Sequence, residues 1–355
     1  MEALDRTRES APVNRLPGEW ERHQACWLAW PCAEDLWGED LAPAQESFVA
    51  LCRAIASAPA DDLPEVPNVL VPDAERETKA RRALRGVPAQ FFRADYGDIW
   101  LRDTGPLFLR RADGEIAAAR FRFNGWGGKY VLAGDDRVSL EVAELSKLRT
   151  LSFDWVLEGG AVEVDGQGTC LTTQQCLLNP NRNRSLGVDA IERKLGEALG
   201  VTRVLWLDRG LANDHTDGHV DNLARFVGPG RVVCMEPRSK DDPNGPTLES
   251  IARALDGFRD SAGRRLEVLR IPSPGCVIGK NGEPMPASYL NFYIANHSVA
   301  VPIYGASWDG EAVAAVARLF PGRRTLGIPA KALLAGGGAF HCITQQQPAG
   351  IEGAA

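Results

Sequence analysis

Apolar residues recur at three- and four-residue spacing in five stretches, at about 43–57, 73–85, 188–199, 246–257 and 310–320, and this spacing predicts five helices. Leu248, Ile251, Ala252 and Leu255 carry the pattern in the fourth. Between the helices lie short runs rich in β-branched and aromatic residues. Four pairs of these runs flank tight polar turns and predict hairpins. They are Leu107–Arg111 with Ile116–Phe123, Ala161–Val164 with Thr169–Thr173, Leu223–Val227 with Val232–Met235, and Tyr289–Ile294 with Val299–Tyr304. The hairpins recur at about 55–70 residues, mostly with a helix between them, as a supersecondary unit repeated around a ring would. An ordinary α+β domain with mixed sheets fits the same pattern. Asp241–Pro246 and Ser273–Gly275 are loops, because structured patterns resume at once on both sides. One domain over residues 1–355 is expected, with residues 1–15 as a flexible tail.

Composition narrows the function. A chain of 355 residues, 44% hydrophobic and 25% charged, buries a large core. The net charge of −7 and the lack of a dense Lys/Arg run argue against nucleic acid or an anionic membrane surface as partner. No apolar segment is long enough to cross a bilayer, and Met1–Pro17 is too polar for a signal peptide, so a cytoplasmic protein is expected. The eight cysteines form no CxxC pair, and most sit in apolar runs where a reduced thiol packs as a small hydrophobe.

Cys342 stands apart from the other seven. It follows Gly336-Gly337-Gly338 and is flanked by His341 and by Thr344-Gln345-Gln346-Gln347. A nucleophilic thiolate near neutral pH needs a cation beside it, either an imidazolium or a charged substrate; a buried structural thiol beside a glycine turn is the plainer alternative. His219 and Asp221 alternate ahead of a β-like run, which points both at one face. His215 and Asp217 join them if the strand extends that far, whereas Gly218 equally permits a bend. The HxxxH spacing of His215 and His219, with Asp221 or Cys342 as third ligand, would suit a metal only on a helix. Gly218 and the following β-like run oppose a helix there, so no metal is expected. Asp98 and Asp103 flank Trp100, and carboxylates beside an aromatic hold a planar cation by its edge and face. An Arg102 salt bridge and a turn cap explain the same residues. Glu158-Gly159-Gly160 and Phe123–Tyr130 are glycine loops without nucleotide-binding spacing.

These residues, together with Leu16–Trp20, Trp27–Pro31, Trp100–Pro106, Asn124–Gly127, Leu157–Gly160, Thr216–Asn222 and Gly337–Gln346, make a chain that resembles the agmatine deiminase and bacterial-type peptidylarginine deiminase family nearly end to end. That family is part of the guanidino-group-modifying superfamily. The resemblance implies a five-bladed, pentein-like α/β propeller of pseudo-fivefold symmetry, no cofactor, a small cationic guanidino substrate and a homo-oligomer. By motif position it implies Cys342 as nucleophile, His219 as general acid/base, and Asp103 and Asp221 as the carboxylates that grip the guanidinium. Trp100 would line the pocket and Glu158 would support it. The implied reaction is hydrolysis of agmatine to N-carbamoylputrescine and ammonia through a thiouronium on Cys342, a step toward putrescine. Free arginine, a peptide's C-terminal arginine, or amidino transfer to an amine are the alternatives. At the distal end, where many of these deiminases carry an acid before Thr-Asp-Gly-His, this chain has His215, preceded by Asp214. Those two residues are the candidates for contact with the distal group, and Asp217 is a further substrate-binding candidate.

Overall fold

Five times along residues 14–350, which the computed structural model describes, the chain builds a sheet from the same parts: a strand, an antiparallel neighbour, a helix and a parallel strand. The first such sheet pairs Leu107–Arg111 antiparallel with Ile116–Arg122, and that strand parallel with Arg149–Val156. Glu163–Val164, Thr169–Thr173 and Arg203–Leu207 repeat the pattern. Ala224–Gly228, Arg231–Glu236 and Glu267–Pro272 do so again. The fourth sheet is Tyr293–Ile294, Ser298–Ile303 and Arg324–Pro329. The fifth joins distant parts of the chain, with Gln345–Pro348 antiparallel to His23–Ala29 and that strand parallel to Val66–Val71.

A parallel pair cannot be joined by a tight turn, so each unit needs a crossover, and a helix supplies it. Those helices are Leu41–Ile55, Val138–Leu145, Val188–Leu199, Gly245–Gly257 and Asp309–Leu319. In Val188–Leu199 the buried residues are Ile191, Leu195, Ala198 and Leu199, one stripe at helical spacing against the sheet. The expected helix at 73–85 forms as Ala74–Ala83, its first turn capped by the Asp73 side chain on the Arg76 amide. All five expected helices form, with ends within two residues of the expectation.

Several expectations change. Asn14–Arg15 pair with Leu107–Arg111 instead of belonging to a tail, and residues 1–13 lie outside the described residues. The run Ala161–Val164 is a strand only at Glu163–Val164, because Gly159–Ala161 turn as a short 3₁₀ helix. Tyr289–Ile294 is extended only at Tyr293–Ile294. His219 and Asp221 do not alternate along a strand: Val220–Asn222 is a 3₁₀ turn, and the strand begins at Ala224. The architecture is mixed α/β in five separate sheets, and among the described residues no ladder of hydrogen bonds closes them into one. Among the described residues no helix is long and apolar enough to cross a membrane.

Candidate active site

The segment entering the first strand of each unit carries one of the polar groups that meet at the centre. Asp103, Gly160, Asp221, Asn291 and Cys342 lie two to four residues before the strands that begin at Leu107, Glu163, Ala224, Tyr293 and Gln345. These strands are short, and the turns feeding them are where polar groups escape the apolar packing of the sheets.

Cys342 is buried, and its sulfur accepts a hydrogen bond from Asn291 Nδ2 at 3.0 Å and lies 3.7 Å from Asp221 Oδ2. Its carbonyl accepts from the Arg102 amide at 3.1 Å, which ties the Cys342 loop to the turn carrying Asp103. Gly338 makes room for the sulfur: a Cβ there would stand 3.0 Å from Cys342 Sγ and 2.7 Å from the Trp100 ring. Burial pushes the thiol well above its ordinary pKa, and the charges of Asp221 and Asp103 push the same way against the Asn291 hydrogen bond.

Asp103 is aimed by two donors, Trp126 Nε1 at 2.8 Å and the Gly160 amide at 2.9 Å. His219 is fully buried, with Nδ1 at 3.7 Å from Asp103 Oδ2, and its backbone amide is held by Thr216 Oγ1 at 3.0 Å. Burial favours the neutral ring, but the charge of Asp103, with Cys176 and Glu158 nearby, raises the His219 pKa well above its usual value. His219, Cys176 and Glu158 bring metal-type ligand atoms within 4.8 Å of one another. Arg182 Nε donates to Glu158 at 2.7 Å in a fully buried ion pair, so that carboxylate already has its cation. The HxxxH pair does not converge either: His215 stacks on Tyr130, and Tyr130 Oη lies 2.8 Å from His215 Nδ1.

Beneath these groups runs a chain of buried charge. Asp221 Oδ2 meets His341 Nδ1 at 2.7 Å, and His341 Nε2 meets Glu19 Oε2 at 2.8 Å. Glu19 also accepts from Arg225 Nη2 at 2.7 Å, and Arg225 donates to Glu163 and to the carbonyls of Leu290 and Phe292 on either side of Asn291. Burial alone would raise the carboxyls of Asp221 and Glu19, but His341 holds Asp221 below its usual range, and Arg225 and His341 hold Glu19 far below. Asp221 Oδ1 has no partner among the described residues.

A cavity of about 270 Å³ opens above Cys342. Trp37, Asp98, Trp100, Asp103, Trp126, Tyr130 and His215 form most of its wall. Trp37 and Trp100 stack at 6.0 Å, and both indole N–H groups donate to Asp98, at 2.9 and 2.8 Å. Tyr130 and His215 also border a wider outer cavity of about 820 Å³, together with Asp214, Lys129 and Lys280.

The model of the Porphyromonas-type peptidyl-arginine deiminase family matches residues 15–348. The chain belongs to that family. An agmatine deiminase of Pseudomonas aeruginosa (strain LESB58) is 37% identical, covering 94% of this chain and 95% of its own. One from Stutzerimonas stutzeri (strain A1501) is 38% identical with the same coverage. Among solved structures, an agmatine deiminase of Enterococcus faecalis superposes with a TM-score of 0.87 at 34% identity, over 95% of this chain and 96% of that one. A cysteine-to-serine variant of the C. jejuni agmatine deiminase, with substrate bound, superposes at 0.85 and 25% identity, over 96% and 97%.

In this member of the peptidyl-arginine deiminase family, Cys342, Asp103 and Trp100 line one cavity, while the fully buried His219 and Asp221 stand 3.7 Å from Asp103 and from the Cys342 sulfur respectively. Glu158 and Asp217 do not line that cavity, and Glu158 stands against His219, with ligand atoms within 4.8 Å of one another. Asp217 pairs with Arg182 and Lys129, and Glu158 pairs with Arg182. Asp214 faces the outer cavity and accepts from the amide and hydroxyl of Thr216 through Oδ1. Asn291, Trp126, Glu19 and Arg225 are the site residues that sequence reading passed over. Asn291 had a signal, being a polar residue inside the apolar run Tyr289–Ile294. Because Glu158 is fully buried, Arg182→Met is expected to lose about 3–5 kcal/mol of stability by stranding its charge, a loss that urea unfolding measures.

Proposed function

We propose that the protein is a cysteine-dependent agmatine deiminase, hydrolysing agmatine to N-carbamoylputrescine and ammonia. The observation that carries this reading is the cluster of Asp103, His219, Asp221 and the Cys342 sulfur, in which Asp103 and Cys342 line an aromatic-walled cavity and His219 and Asp221 lie buried against them. The two agmatine deiminases at 37% and 38% identity support the choice of substrate.

A guanidinium is a flat cation whose edges donate hydrogen bonds in pairs, and two carboxylates are its natural seat. Asp221 Oδ1, which has no partner among the described residues, would accept from one such edge, and Asp103, which lines the cavity, from another. Binding would do more than orient the substrate. The same two acid charges that raise the Cys342 pKa are offset by the incoming cation, so the thiol gives up its proton to solvent when its target is in place. The thiolate then adds to the central guanidinium carbon. His219, held as imidazolium, passes a proton to one amino nitrogen, the carbon–nitrogen bond breaks and ammonia leaves a thiouronium on Cys342. The neutral His219 takes a proton from water, whose oxygen adds to the same carbon. The carbon–sulfur bond breaks and the ureido product departs.

Ammonia release from agmatine, arginine, a peptide ending in arginine and short guanidino acids tests the assignment, with the product identified by mass. Agmatine is expected to be the preferred substrate, and adding an amine acceptor should leave the ammonia yield unchanged. Turnover of none of them would sink the reading. Because Asp103 raises the His219 pKa, the imidazolium persists through neutral pH and is lost only as pH climbs past that raised value. The alkaline limb of kcat/KM is therefore expected above the ordinary histidine range.

The five strand–strand–helix–strand units support five blades about a pseudo-fivefold axis, with Cys342 and its partners on the axis. Eight free cysteines suit a cytoplasmic setting. Self-association into a homo-oligomer is part of the same reading, and light scattering measures it.

A further inference from the structure

His341 adjoins Cys342 in sequence, yet its side chain turns away from the cavity and bridges two carboxylates. Nδ1 lies 2.7 Å from Asp221 Oδ2 and Nε2 lies 2.8 Å from Glu19 Oε2, with the ring 2% exposed. A carboxylate oxygen accepts and does not donate, so two ionised carboxylates in these places call for a hydrogen on each ring nitrogen. A neutral ring would set a lone pair against one carboxylate in a site closed to water, an arrangement that costs more than it returns.

Two details tie this ring to the reacting sulfur. The oxygen that His341 clamps, Asp221 Oδ2, is the one 3.7 Å from Cys342 Sγ. The other oxygen, Oδ1, is buried and free of partners among the described residues. The charged surroundings are otherwise fixed. Glu19 is also held by Arg225 and Arg102, Glu163 is held by Arg225, and Arg102 Nε donates to the His341 carbonyl. Facing Cys342 are Asp103, Asp221, Asn291 and, further off, Tyr304.

We propose that His341 is a positioning residue: as a fixed imidazolium it clamps Asp221 Oδ2, leaves Oδ1 turned toward the guanidinium, and offsets carboxylate charge beside the Cys342 sulfur. This rests on Cys342 being the nucleophile, and it is independent of which guanidine is the substrate.

The test is the pH dependence of Cys342 alkylation by iodoacetamide without substrate, read by mass on the Cys342 peptide. His341→Asn retains an N–H donor near the Nδ1 position and discards the charge. Its alkylation profile is expected to move up by about one pH unit, so that the rate at a fixed pH below the midpoint falls about tenfold. KM should stay within about threefold while kcat falls roughly tenfold, because the clamp survives and the charge does not. Glu19→Gln keeps an oxygen acceptor for Nε2 but discards the carboxylate charge that favours a doubly protonated ring, and should move the profile the same way. If circular dichroism reports that His341→Asn is unfolded, the Glu19→Gln profile decides by the same criterion. A folded variant whose profile overlays the wild type, or moves to lower pH, overturns the proposal. Failure of agmatine turnover with a displaced profile would leave it standing and reject only the substrate.

Discussion

Cys342→Ala is expected to bind agmatine and release no ammonia. The sulfur is the only protein group in the proposed mechanism that bonds to carbon, so its loss removes the covalent route altogether, and kcat should fall by at least roughly 10⁴-fold. Binding should survive, because Asp103 keeps its Trp126 and Gly160 donors and Asp221 keeps His341. Calorimetry should report a Kd within about tenfold of the wild-type KM. The fold should hold within about 1 kcal/mol, since the change deletes one buried atom beside Gly338. Near-normal turnover by this variant would remove Cys342 from the mechanism.

Gly160→Ala is expected to be almost as damaging, although glycine has no side chain to take part in chemistry. A Cβ there would stand 2.5 Å from His219 Nδ1, 3.1 Å from Asp103 Oδ1 and 3.2 Å from Asp221 Oδ2. The first distance is impossible for unbonded atoms, so the imidazole must move, and it can move only within a closed cluster. The methyl also enters the space that three of the proposed reacting groups share. We expect kcat/KM to fall by roughly 10³-fold, in line with what small misplacements cost a preorganised site. Overpacking should cost about 1–3 kcal/mol by denaturant unfolding, leaving a folded protein to assay. An active Gly160→Ala enzyme would mean that His219 does not need its present position.

The helices were legible because their signal is local: a stripe such as Leu248, Ile251, Ala252 and Leu255 is written within four turns of chain. The outer parallel strands were not, since Arg149–Val156 or Arg324–Pro329 pairs with a strand a whole helix away and has no tight turn beside it. At the site, the motifs carrying Asp103, His219, Asp221 and Cys342 are legible in the sequence, but the alternation of the middle pair predicts a strand that the chain does not form there. Both side chains still reach the cluster, from a 3₁₀ turn. Asp217 and Glu158 show the opposite limit. Their type and spacing suit a substrate contact, and only the fold brings Arg182 against both of them. The five-unit repeat places Asn291 in the same position, just before the first strand of its unit.

The sheet that ends in Gln345–Pro348 begins with His23–Ala29, and the sulfur sits three residues before that last strand. Folding must therefore bring together segments more than 300 residues apart in the chain before Cys342 has a fixed address. Loop-closure entropy makes such contacts late ones. A partly folded chain thus carries eight unremarkable thiols, and the pairing that completes the fold is also the one that sets the proposed nucleophile in place. Catalytic competence then reports on structural completeness: refolding followed by activity should lag refolding followed by helix content.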